Sequence, residues 1–169
     1  MVVVKMTNKL PSVITTKEFN QILKHTHKRK ERLAFKLAGL AGLRISEVLN
    51  LKPEDIDLER GYIFIRSGKG KKDRYVVIQE SFLKDLKHLP VDIPKRTLQR
   101  HFKNIAKETI AKDIHFHTLR HSAATSWLDQ GFNIREVQVM LGHSSLNTTA
   151  IYTHISMNEI KRKFEMIRR

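Results

Sequence analysis

The chain has 169 residues, enough for one domain that buries roughly two-thirds of the surface its unfolded form exposes. It contains no cysteine, which excludes a disulfide framework and a thiolate metal site and favours an intracellular compartment. Its 32 Lys and Arg against 17 Asp and Glu give a formal charge of +15 and a pI near 10.2. That excess points to a polyanion, because each phosphate a cation neutralises releases condensed counterions. No apolar run approaches the roughly 18 residues of a membrane span, and the stretch from Met1 to Met6 is too short for a signal peptide. The cations are dispersed along the chain instead of lining one amphipathic helix, which favours nucleic acid over an acidic membrane. The composition reads as soluble and cytoplasmic.

The pattern is mainly helical. Thr15 and Glu18 form a capping-box signature that opens a first helix. A second is expected from about Lys28 to Ala41, with Leu33, Leu37 and Leu40 on one stripe, interrupted by Gly42. Arg44 begins a short helix through Glu47, Val48 and Leu51, which Pro53 ends. After a turn over residues 57–61, the β-rich stretches 62–66 and 74–78 predict a hairpin whose glycine-punctuated tip carries Lys69, Lys71 and Lys72. Leu98, Phe102, Ile105 and Thr109 mark one further helix, and Leu119, Ala123 and Trp127 mark the next, closed by Gly131. Asn133 with Glu136, and Ser156 with Glu159, are additional capping boxes. The last helix, 156–169, has an apolar stripe of Ile160, Phe164 and Ile167. The expected fold class is therefore mainly α with a small antiparallel β-sheet (α+β), in a single domain over residues 1–169.

Several residue types suit phosphodiester chemistry. Attack on phosphorus builds charge on the non-bridging oxygens, and guanidinium forks match that geometry better than point charges. Arg44 and Arg120, each at the start of a predicted helix, are the candidates. With no thiol in the chain the nucleophile has to be a hydroxyl, and Tyr152 beside Thr153-His154 is favoured over the strand residues Tyr62 and Tyr75, whose type usually packs. Lys69 on the hairpin tip suits protonation of a leaving 5′-oxygen, with Lys71 and Lys72 as neighbours, and His117 and His143 suit proton exchange or donation to a phosphate oxygen.

The ordered set Gly42-Leu43-Arg44-Ile45-Ser46-Glu47, Gly68-Lys69-Gly70, His117-x-x-Arg120-His121, Leu141-Gly142-His143 and Tyr152-Thr153-His154 closely resembles the tyrosine recombinase (phage integrase, Xer) family, in spacing as well as identity. The resemblance implies the DNA breaking-rejoining fold and a site-specific recombinase. Arg44, His117, Arg120 and His143 would hold the scissile phosphate, Lys69 would be the general acid, and Tyr152 would form a 3′-phosphotyrosyl intermediate. Glu47 would support the site from behind, Lys71, Lys72 and Arg74 would contact DNA, and His121 is read as structural. It also implies strand exchange through a Holliday junction by four protomers on two duplexes of double-stranded DNA, without metal or nucleotide cofactor, from a protein that is monomeric when free.

Members commonly carry an N-terminal helical domain that clamps the other face of the DNA. Here the match begins almost at once, so that domain is expected to be absent. The last helix is open to two readings, packing on a neighbouring protomer or folding back on its own core. Two rival functions stand beside the recombinase: a non-catalytic or partner-dependent DNA-binding module, and a metal-dependent nuclease using His115, His117 and His121 as ligands.

Overall fold

The computed structural model describes residues 12–66, 73–142 and 157–167. Thr15 caps α1 (Thr16–His25): its hydroxyl accepts the Glu18 N–H at 3.2 Å, and the Glu18 carboxylate accepts the Thr15 N–H at 2.8 Å. After α2 (Arg29–Gly39) the chain reverses through Gly42, in the left-handed region at φ 67°, and enters α3 (Ile45–Asn50). The second helix stops two residues before the expected Ala41. Leu40 is its C-cap, and the turn that follows is pressed against the sixth helix, where a Cβ on Gly42 would meet the Trp127 ring at 2.8 Å.

Strands β1 (Ile56–Asp57), β2 (Tyr62–Ile65) and β3 (Arg74–Val77) form an antiparallel sheet in the order β1-β2-β3. Ile63 faces Val76 and Ile65 faces Arg74 across the hairpin. The hairpin and its lysine-bearing connection were expected from composition; the two-residue β1 was not, being too short to leave a period. The chain continues through α4 (Glu80–Leu83), also unforeseen, α5 (Lys95–Ile110), α6 (His117–Asp129), α7 (Ile134–Leu141) and α8 (Met157–Ile167). Among the described residues no helix is long and apolar enough to cross a membrane.

The larger core lies between α1, α2, α3, α5 and the inner face of the sheet, and the start of α6 enters it through Leu119. Its centre is an edge-to-face trio: Phe35 lies 5.2 Å from Phe102 and 6.0 Å from Phe116, and Phe102 lies 5.8 Å from Phe116, measured between ring centroids. Leu33, Leu37, Leu98 and Phe102 are fully buried, which is the stripe their spacing predicts. A second cluster joins Trp127, Phe132, Val137, Met140 and Leu141 to Val77 and to α8, where Ile160 is fully buried. Phe164 packs 4.7 Å from the Phe132 ring, and Lys163 bridges to the buried Glu136 at 2.8 Å. Of the two readings of the last helix, the described residues show it folded back on its own chain. Ser156, the expected cap of this helix, lies outside the described residues.

Replacing Phe35 by Ala removes the hub of the aromatic trio without supplying a group to fill the space, and should cost about 3–5 kcal/mol. Urea unfolding followed by circular dichroism should show the midpoint fall at nearly constant slope; a midpoint within error of the parent would show that the trio is dispensable.

Candidate active site

The site is built where the turn before α3, strand β3, the first turn of α6 and the end of α7 meet. Glu47, the third residue of α3, is the centre. Its side chain is only 8% exposed, and its oxygens accept hydrogen bonds from two arginines and face a third. Arg44, the residue that precedes the helix, donates its backbone N–H at 2.8 Å and its guanidinium at 2.9 Å. Arg74 adds a bidentate fork, with Nη1 to Oε1 at 2.8 Å and Nη2 to Oε2 at 2.9 Å. Arg120 completes the group with Nη1 at 3.8 Å from Oε2. Burial pushes the Glu47 carboxyl up, but the hydrogen bonds and charge of Arg74, with those from Arg44, more than offset it and hold the group at about 2.

Arg120 is 4% exposed and reaches two backbone carbonyls on opposite sides: Gly42 O at 2.5 Å and Leu141 O at 2.7 Å. Arg74 donates Nε to Met140 O at 3.1 Å. Two buried guanidiniums thus satisfy the last two carbonyls of α7, where the helix dipole favours positive charge. Gly142 closes the helix at φ 65°, and a Cβ there would meet Arg74 Cδ at 2.6 Å, so the glycine makes room for the arginine to cross. Burial, followed by the charges of Arg44 and Arg74, presses the Arg120 guanidinium down to about 9, although Glu47 pulls the other way. It remains charged at neutral pH.

His117 is exposed at the first position of α6, its ring edge-to-face with His121 at 4.6 Å. Desolvation first, then His121, Arg120 and Arg44, lower its pKa, which favours the neutral imidazole at pH 7. Arg44, with 24% of its side chain exposed, and His117 are the outward-facing members; Glu47, Arg74 and Arg120 lie behind. Three guanidiniums share one carboxylate here, so this group of side chains keeps a net charge of about +2 in a site of low dielectric. Such a site suits an anion with several oxygens.

The structure therefore brings together Arg44, Glu47, His117 and Arg120, as the sequence pattern anticipates. Lys69, Lys71, Lys72, His143 and Tyr152 lie outside the described residues. Arg74, expected on the second hairpin strand as a DNA contact, is 9% exposed, on the inner face of β3 with Val76, and its donors are turned to Glu47 and Met140. Period-two alternation from Val76 was the available signal. The rival metal reading rested on His115, His117 and His121; among the described residues no group of three or more His, Asp or Glu side chains converges, and His117 with His121 make a ring contact.

The depressed Glu47 value links the site to stability. A carboxyl that falls from its ordinary 4.5 to about 2 on folding stabilises the folded state above pH 4.5, by on the order of 3 kcal/mol, and loses that contribution as pH falls from 4.5 toward 2. Glu47→Gln should be less stable than the parent at pH 7, and the gap between the two denaturation free energies should narrow steadily as the pH falls from 4.5 toward 2; parallel curves would show that Glu47 is not held in this way.

Residues 12–159 match the family model described as the phage integrase family. The chain is 35% identical over 185 residues to the tyrosine recombinase XerA of Thermococcus onnurineus, covering 97% of this chain and 65% of that protein. The fold superposes on the crystal structure of XerA recombinase with a TM-score of 0.73 and 29% identity, covering 95% of this chain and 66% of that one. It superposes on the XerH site-specific recombinase bound to its difH substrate with a TM-score of 0.67 and 27% identity, covering 91% and 54%. The chain thus spans just under two-thirds of the length of the curated relative it matches. A match over most of the chain, on the elements that gather Arg44, Glu47, His117 and Arg120, establishes that it belongs to the phage integrase family of tyrosine recombinases.

Proposed function

We propose that this chain is the catalytic domain of a site-specific DNA recombinase that cleaves and rejoins strands through Tyr152. The observation that carries the reading is the arginine cluster around Glu47, with its surplus positive charge and the neutral His117 beside it. Arg44 and Arg120 bind the non-bridging oxygens of the scissile phosphate and stabilise the charge that grows there. The Tyr152 phenol oxygen attacks phosphorus and its proton passes to His117 or His143. The bond to the 5′-oxygen breaks, and Lys69 protonates that oxygen. The 3′-phosphotyrosyl ester keeps the bond energy, so attack by a new 5′-hydroxyl reverses the steps without a nucleotide or a metal.

Double-stranded DNA is the substrate, in line with the chain's charge of +15 and with the XerH relative's complex with its difH substrate. Lys71 and Lys72 neutralise backbone phosphates beside Lys69. Four protomers act on paired sites, exchanging strands through a Holliday junction, and a DNA substrate places the work in the cytoplasm.

The test is incubation of the parent and Tyr152→Phe with nicked suicide duplexes carrying candidate sites in excess chelator, followed by denaturing electrophoresis. A protease-sensitive covalent adduct is expected with the parent alone. Arg44→Ala or Arg120→Ala should slow adduct formation by about 100-fold or more while binding changes far less. An adduct that persists in Tyr152→Phe would move the nucleophile to another residue, and none from a parent that binds DNA in a salt-dependent way would leave the chain as a DNA-binding module.

A further inference from the structure

Arg74 joins three segments. It is the first residue of β3, immediately after the hairpin connection that carries Lys69; its fork holds both oxygens of Glu47, which in turn holds Arg44; and its Nε holds the Met140 carbonyl, three residues before His143. Its side chain is 8% exposed, and Gly142 has no Cβ where the Arg74 stem passes. We propose that Arg74 is a positioning residue for strand cleavage, which acts through Glu47 and the end of α7 to hold the phosphate-binding arginines Arg44 and Arg120 in register with each other.

The assignment rests on the recombinase reading above. It follows from the hydrogen-bond inventory of the site. Glu47 needs several donors to remain ionised while buried, and Arg44 alone supplies two; the fork from Arg74 supplies two more from a different element, so it fixes both the tilt and the depth of the carboxylate. A carboxylate held from one side only would let the Arg44 guanidinium swing with it. The third donor of Arg74, to the Met140 carbonyl, ties Glu47 to the end of α7, whose next carbonyl, that of Leu141, is held by Arg120. A lysine at position 74 has a single nitrogen and cannot serve two carboxylate oxygens and a carbonyl in these directions at once. Substrate contact is not required of Arg74, since its donors are turned inward.

The experiment compares the parent, Arg74→Met, Arg74→Lys, Gly142→Ala, Glu47→Gln and the Arg74→Met/Glu47→Gln double variant. For each, single-turnover adduct formation on a nicked suicide duplex at saturating DNA is measured with the DNA dissociation constant and the thermal midpoint, and rates are read well below every midpoint. Arg74→Met should cleave about 100-fold more slowly with affinity changed less than threefold, the signature of lost alignment. Arg74→Lys should not restore the rate, and Gly142→Ala should reproduce part of the loss. The double variant should be little slower than the slower single variant, because Arg74 acts through Glu47. Cleavage by Arg74→Met within threefold of a cleaving parent, or losses that multiply in the double variant, would overturn the assignment alone. A parent that binds DNA and forms no adduct would overturn the recombinase reading, and the assignment with it.

Discussion

Everything in this site depends on one buried carboxylate. Glu47 is placed among Arg44, Arg74 and Arg120, each brought by a different stretch of chain, and it is the anion that lets three cations share a small volume. Without it their mutual repulsion in a poorly solvated site would drive the turn, the strand and the helix apart. One carboxylate is too little to neutralise three guanidiniums, however. Burial first, and the residual charge after it, hold Arg120 below the ordinary arginine range and depress His117, and an anion in the site would relieve the second of these causes. The folded protein thus carries a preorganised positive field of the kind that suits an anion with several oxygens.

The same side chains also do structural work. Arg120 spans from the Gly42 carbonyl to the Leu141 carbonyl, and Arg74 from Glu47 to the Met140 carbonyl, so the end of α7 is tied to the turn before α3 by buried charge-assisted hydrogen bonds. Two glycines permit this. Gly42 lets the turn lie against Trp127, and Gly142 leaves room for the stem of Arg74; both also adopt positive φ, which L side chains rarely do. The glycines of Gly-Leu-Arg and Leu-Gly-His are therefore parts of the arginine cluster's framework, though neither has a side chain to offer it.

Much of this was legible in the sequence, for identifiable reasons. The helices with strong caps or stripes, α1 from Thr15 and Glu18, α5 from Leu98 and Phe102, and α7 from Asn133 and Glu136, are governed by local rules that a linear pattern exposes. Arg44, Glu47, His117 and Arg120 were found because their motifs have fixed spacing within single elements. What escaped was non-local. Strand β1 is two residues long and exists only because β2 pairs with it, and α4 is a single turn held where Lys36 meets Asp85 and the Ser81 carbonyl. Arg74 was misplaced because a basic residue beside a lysine-rich turn reads as surface, whereas its real partner is 27 residues away in sequence. The alternation of β3 places it inward, but a charge on an inward face becomes intelligible only once the carboxylate opposite is known.

The burial of Arg74 and Arg120 divides the cluster into two sets of residues. An arginine that is to meet a ligand must remain partly exposed, and Arg44 is the member exposed in that way; an arginine that fixes geometry must spend its donors on the protein, as Arg74 does. Arg120 lies between these cases. Its two terminal nitrogens each hold a carbonyl, yet a guanidinium has five N–H groups, and those left over point from a rigid, desolvated base. A donor immobilised in this way loses little entropy when it engages a phosphate and is attracted to it with little screening.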